Sequence, residues 1–164
     1  RTVEGDLGVF INHENVVSLF EKDELIDLLD CTEEALQELL ENYTYIPMEH
    51  MQRKLVYELS KKCTYLALDR HVGDLRRVFT SSGQKIIPEG KDLTQVEFIV
   101  LTGGALINLN HTERIIEEYF ASNHRKLLPT KEIVILRDYD YTMASIGVLS
   151  LKYPEVSVHL YVTC

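Results

Sequence analysis

The sequence predicts an α/β chain, α+β in parts, with helices filling the first half and strand–helix–strand–helix following. Three observations predict it. Apolar residues from Asn15 to Leu29 follow no strand alternation, and a longer helical pattern runs on to Leu68. Two β-type segments flank Ser81-Ser82-Gly83. Two short unbroken apolar runs, 96–101 and 133–136, each precede a helical pattern.

Taken in order, Val16, Val17, Leu19, Phe20, Leu25, Ile26, Leu28 and Leu29 fit two short helical segments broken near Lys22-Asp23. Thr32 then reads as an N-cap, with Glu33 and Glu34 at the positive end of the next helix and Leu36, Leu39 and Leu40 on its buried side. Pro47 suits the first turn of a longer helix through Met51, Leu55, Leu59, Cys63, Leu66 and Leu68. His71, beside Arg70, falls where a cation helps a helix C-terminus. Leu75 to Thr80 and Gln84 to Ile87 form a hairpin with glycine in its turn, and Pro88-Glu89-Gly90 is a loop.

Val96 to Leu101 reads as a buried strand. Thr112 caps a helix whose Ile115, Ile116, Tyr119 and Phe120 share one face, opposite Glu113, Arg114, Glu117 and Glu118. Ile133 to Leu136 is a second buried strand, followed by an acidic loop and a helix from about Thr142 to Leu151, ended by Pro154. The tail, Val156 to Val162, alternates as a strand does.

At 164 residues the chain is one domain by length and can bury a core; 45% hydrophobic and 26% charged residues mark an ordinary globular protein. With 17 basic against 26 acidic residues its formal charge is -9, a balance that repels nucleic acid and anionic membranes. No apolar run spans a bilayer. Cys31, Cys63 and Cys164 are odd in number and lack metal-ligand spacing, which points to reduced thiols in the cytoplasm and no structural zinc. The start, Arg-Thr-Val-Glu-Gly-Asp, reads as a piece of a longer chain.

Gly103-Gly104 is the feature that asks for a function. Two glycines where an apolar strand meets a helix give up backbone entropy and side-chain packing. Either they make a tight connection, or they leave backbone bare for a ligand to lie on, with N–H groups for a phosphate. The pair is neither a dinucleotide fingerprint nor a Walker loop. Asp138 and Asp140 lie in a loop after a strand, where ligands of open α/β sheets gather; they read either as a metal-binding pair or as solvated carboxylates. The histidines and serines show no catalytic spacing, and no self-contained catalytic or metal set emerges.

Four separated pieces together carry a resemblance: RTVEGDLG at 1–8, RHVG at 70–73, GKDLTQVEFIVLTGGALINL at 90–109 and DYDYTMASIGVLSLKYPE at 138–155. In order and spacing they resemble the C-terminal part of the MutL/GlmL family, associated with adenosylcobalamin-dependent glutamate mutase and distinct from the mismatch-repair protein of the same name. That family resembles the actin–Hsp70–sugar-kinase superfamily, whose two lobes close on ATP.

The resemblance implies a partial actin-like ATPase lobe: a helical subdomain at 9–72, a hairpin and connection at 73–95, and 1–8 with 96–164 as part of a nucleotide-facing subdomain built on a ribonuclease-H-like sheet. It implies Thr102, Gly103, Gly104 and Ala105 against the adenosine, Glu4, Gly5, Asp6, Asp138 and Asp140 near the nucleotide, and Gly147 as a small residue for close helix packing. Mg²⁺ would be carried mainly by aspartate loops upstream of Arg1, and cobalamin only by the partner mutase. The implied activity is ATP-dependent, chaperone-like reactivation, with ATPase activity in the whole protein and none in this part alone. A small-molecule kinase lobe and a non-catalytic interaction domain are the alternatives.

Overall fold

The computed structural model describes residues 5–21 and 23–157. Four helices open the chain: α1 (His13–Val17), α2 (Glu24–Leu29), α3 (Glu33–Glu41) and α4 (His50–His71). Asp30, in the left-handed conformation at φ 53°, ends α2. Thr32 caps α3 by accepting the N–H of Ala35 at 3.3 Å. Pro47 lies outside α4, contrary to the sequence reading. The chain first turns through 44–48, where the Thr44 hydroxyl bonds both backbone groups of Ile46, so the helix starts only at His50.

The 22 residues of α4 make it about 33 Å long, enough to serve two cores. Its first half closes over Val16, Leu25, Leu29 and Leu36 with Leu55 and Leu59. Past its second half lie Val72, Tyr119, Leu127 and Leu128. Complete burial of a leucine such as Leu59 contributes about 2 kcal/mol. Tyr119 is buried with its hydroxyl donating to Asp69 at 2.7 Å, which satisfies the one polar atom of a large apolar ring.

Beyond α4 an antiparallel hairpin forms from β1 (Asp74–Thr80) and β2 (Gly83–Glu89), in register from Asp74↔Glu89 to Thr80↔Gly83. Pro88 belongs to β2 rather than to the loop after it. Then follow β3 (Phe98–Leu101), α5 (Gly104–Asn108), α6 (Glu113–Ser122), β4 (Val134–Arg137) and α7 (Met143–Ser150). β3 and β4 pair in parallel, Phe98↔Val134 to Leu101↔Arg137, joined by the helical crossover that parallel strands require.

Four expectations change here. The strands were expected to be buried, yet only Leu101 of the eight residues is, because among the described residues the sheet has two strands and little covers its faces. The Thr112 side chain does not cap α6; its buried hydroxyl donates to the Leu106 carbonyl at 2.6 Å and closes the α5–α6 turn. Gly147 permits no close packing among the described residues, since a Cβ there would meet nothing within 4 Å. Of the tail expected as a strand, 156 and 157 lie in a helical turn, and 158–164 fall outside the described residues.

Candidate functional site

The parallel pair places the carboxyl ends of β3 and β4 side by side, and Thr102–Ala105 and Asp138 follow them. The backbone N–H of Asp138 donates to the Leu101 carbonyl at 2.9 Å, extending the ladder by one bond. Its carboxylate is buried and accepts from three donors. It accepts the backbone N–H of Thr142 at 2.9 Å and of Met143 at 3.3 Å, and the Thr102 hydroxyl at 3.3 Å. Tyr141, at φ 55°, bends the chain back so that these N–H groups face it. Asp138 therefore caps α7 and ties it to the end of β3, a structural task that the acidic-pair reading did not include. Asp140 is exposed.

The two glycines are bare for different reasons. Gly103 has φ 93° and ψ 146°, a conformation that side-chain-bearing residues rarely adopt. Gly104 has no such geometry. A Cβ on it would find only the Tyr141 hydroxyl, at 3.9 Å, so the fold itself leaves room for a side chain there. Neither glycine is plugged by its neighbours.

Gly104 and Ala105 border a cavity of about 680 Å³ between α5 and the helical half, within the range of small-molecule sites. Its far wall is Phe10, Tyr43, Tyr45, Ile46, Pro47 and Met48, with Gly8, Val9, Arg53, Val56, Asn108 and Leu109 completing the lining. The wall is organised by its own ring contacts. Phe10 and Tyr45 lie 3.8 Å apart, and Tyr43 stacks on His13 at 4.1 Å. The Tyr43 hydroxyl donates to the Val9 carbonyl, and burial pushes that phenol up to about 12, so it stays a neutral donor. Arg53 is anchored by Nε on the Pro47 carbonyl at 3.1 Å, and no described carboxylate pairs with it.

Of the residues expected at a nucleotide, Gly104 and Ala105 reach this cavity; Thr102 is turned to Asp138, and Gly103 shapes the turn. Asp6 is held by Arg70 through two bonds of 2.9 Å, which fixes the 5–6 turn to the end of α4, and Asn12 Nδ2 donates to the Gly5 carbonyl. That guanidinium holds the Asp6 carboxyl below the usual carboxylate range. Glu4 lies outside the described residues. The aromatic wall and Arg53 were not singled out from the sequence. The signal was there in Tyr-Thr-Tyr-Ile-Pro-Met at 43–48, an apolar stretch too broken by proline to be helical and too short to be a core strand.

The curated protein most usefully compared is Protein MutL of Clostridium tetanomorphum, to which the chain is similar at 26% identity over 173 residues. The match covers 98% of the chain but only 36% of that relative, so the chain spans about a third of its length. No solved structure matches. The family described as MutL protein matches residues 1–164 throughout, and to that family the chain belongs.

Proposed function

We propose that the chain is the C-terminal lobe of an ATP-dependent, chaperone-like reactivating factor for an adenosylcobalamin-dependent glutamate mutase or related aminomutase, and that it supplies the adenosine side of the nucleotide seat. One observation carries this reading. Gly104, bare without any demand from the fold, faces the aromatic wall across a cavity of about 680 Å³. An adenine ring needs such a slot: flat backbone on one face and apolar or aromatic side chains on the other.

The residues fit the base better than they fit the metal. Gly104 and Ala105 receive the adenosine, Phe10, Tyr45 and Met48 cover it, and Arg53 offers a fixed cation to a phosphate. No group of three or more His, Cys, Asp or Glu able to hold a cation exists among the described residues, and the Asp138 carboxylate is already committed. As the family resemblance implies, Mg²⁺ is assigned mainly to aspartate loops upstream of Arg1. ATP supplies the free energy for lobe closure, and the change in closure alters the grip on a protein partner.

This is the partial actin-like lobe of the sequence reading, working in the cytoplasm. The parallel β3–β4 pair with its ligand loop at the carboxyl ends supports that placement. Among the described residues no helix is long and apolar enough to cross a membrane. The test is titration of the whole protein with a fluorescent ATP analogue, followed by ATP-dependent release of inactive cobalamin from purified mutase. Wild-type protein should do both. Failure to bind nucleotide at millimolar concentration would overturn the proposal.

A further inference from the structure

Among the described residues three side-chain-bearing positions have positive φ: Asp30 at 53°, His111 at 59° and Tyr141 at 55°. Aspartate and histidine are enriched in this left-handed region, whereas a bulky tyrosine is an outlier there. The turn itself does not ask for one. Position 141 has only to bend the chain so that the N–H groups of Thr142 and Met143 meet the Asp138 carboxylate, and asparagine or glycine does that with less strain. Packing does not ask for it either, since Tyr141 is 52% exposed. Strain kept where the fold gains nothing from it points to a task for the side chain.

The hydroxyl shows where that task lies. It stands 3.9 Å from the place a Cβ on Gly104 would occupy, over the residue that is bare without any demand from the fold. Among the described residues no group hydrogen-bonds it. The turn that carries it follows β4, while Gly104 follows β3, and the parallel register Leu101↔Arg137 sets the two side by side. Tyr141 does not line the cavity of about 680 Å³ that Gly104 borders, so its hydroxyl lies at the rim of that slot rather than inside it.

We infer that the Tyr141 hydroxyl binds the ribose of the nucleotide, on the proposed function, which supplies the ligand. The base lies inside the slot, between Gly104 and Ala105 and the aromatic wall. The sugar is the part that emerges past Gly104, toward the carboxyl ends of β3 and β4 where Tyr141 stands. A phenol both donates and accepts a hydrogen bond, as a sugar hydroxyl does, so the two are matched in either sense. The left-handed backbone at 141 then has a reason to carry a tyrosine: the same bend that caps α7 aims the ring at Gly104.

The experiment uses the whole protein and calorimetric titration with ATP and with 2′,3′-dideoxy-ATP, which lacks both ribose hydroxyls. Wild-type protein should bind ATP about twofold to tenfold more tightly than the dideoxy form. Tyr141→Phe removes the hydroxyl alone; it should weaken ATP binding by that factor and leave dideoxy-ATP affinity and the thermal midpoint unchanged. Tyr141→Asn should lose the same preference while raising the thermal midpoint by about 2–4 °C, because asparagine accepts the left-handed backbone more readily. A Tyr141→Phe protein that still prefers ATP, or a wild type with no preference, overturns the ribose contact and leaves the proposed function standing. A Tyr141→Asn protein less stable than the wild type shows that the fold itself holds the tyrosine, and overturns the contact as well. A wild type that binds neither nucleotide overturns the proposed function together with it.

Discussion

Replacing Gly103 by alanine and Gly104 by valine should separate two reasons for bare backbone. At Gly103, φ 93° and ψ 146° put any Cβ into a strained region that costs about 1–3 kcal/mol. For a domain of this size that lowers the thermal midpoint by about 2–12 °C, at about 2–4 °C per kcal/mol. Gly104 has no positive φ, and a Cβ on it would lie 3.9 Å from its nearest non-neighbour, the Tyr141 hydroxyl, an ordinary contact distance. A side chain there costs the fold little, and alanine gains about 0.4–1 kcal/mol by restricting the unfolded chain. In the whole protein, however, Gly104→Val pushes two methyl groups into the cavity beside Ala105. Overpacking a fitted site costs about 1–3 kcal/mol, so nucleotide affinity should fall about fivefold to 150-fold. Differential scanning fluorimetry on both variants, with fluorescent-ATP titration of the second, reads both effects. If Gly104→Val binds ATP as tightly as the wild type, the nucleotide seat is not at this loop. If it unfolds as early as Gly103→Ala, the argument that the fold tolerates a side chain there is wrong.

Asp138→Ala removes the acceptor for two α7 N–H groups and the Thr102 hydroxyl, and should cost about 1–2 kcal/mol of stability, read by urea denaturation. Tyr45→Ala and Phe10→Ala break the pair at the cavity mouth; the proposed seat predicts weaker ATP-analogue binding with little change in the urea midpoint, since both rings are largely exposed. Burial raises the Tyr43 phenol to about 12 and the Cys63 thiol to about 11, from ordinary values of 10.0 and 9.0. Both groups are raised in the folded state, so their contribution to stability is complete below about pH 9 and is lost as pH climbs through 11 to 12, which an alkaline unfolding series checks. The same shift predicts that Cys63 labels with iodoacetamide at pH 8 about 10- to 100-fold more slowly than in the unfolded chain.

The helical half was legible because its signals are local. Thr32 three residues ahead of Ala35, and leucines at helical spacing through α4, need no distant partner to be read. The hairpin announced itself through Gly83 for the same reason. Burial of β3 and β4 was misjudged because an unbroken apolar run reports what a strand is suited to, whereas actual burial depends on what lies over it. Phe98, Val100 and Val134 are exposed in a sheet that has two strands among the described residues. Thr112 looked like a cap because its position is right. Only tertiary structure shows that the Leu106 carbonyl competes for its hydroxyl and wins.

The site divides along the same line. A glycine pair can be seen in one dimension, but its two members proved to have unlike causes, one backbone geometry and the other empty space. Asp138 looked like a ligand because a carboxylate after a strand is chemically versatile. Three donors within 3.3 Å turn that versatility into a cap, and a carboxylate so engaged is held in place more firmly than a free one. The aromatic wall was invisible for a different reason: Phe10, Tyr43 and Tyr45 face Gly104 across the cavity, yet they lie about sixty to ninety-four residues upstream of it in the chain. The long helix α4 ends just before Gly73, whose backbone bonds to Lys91 and Leu127 fix the start of the hairpin. On the proposed nucleotide seat, a rotation of that one helix would shift Arg53 and Val56 of the cavity lining and the start of the hairpin together. Hydrogen exchange on the whole protein should then show the hairpin root, 72–75 and 89–93, changing protection when ATP binds. An unchanged root would mean that the cavity and the hairpin are not coupled through α4.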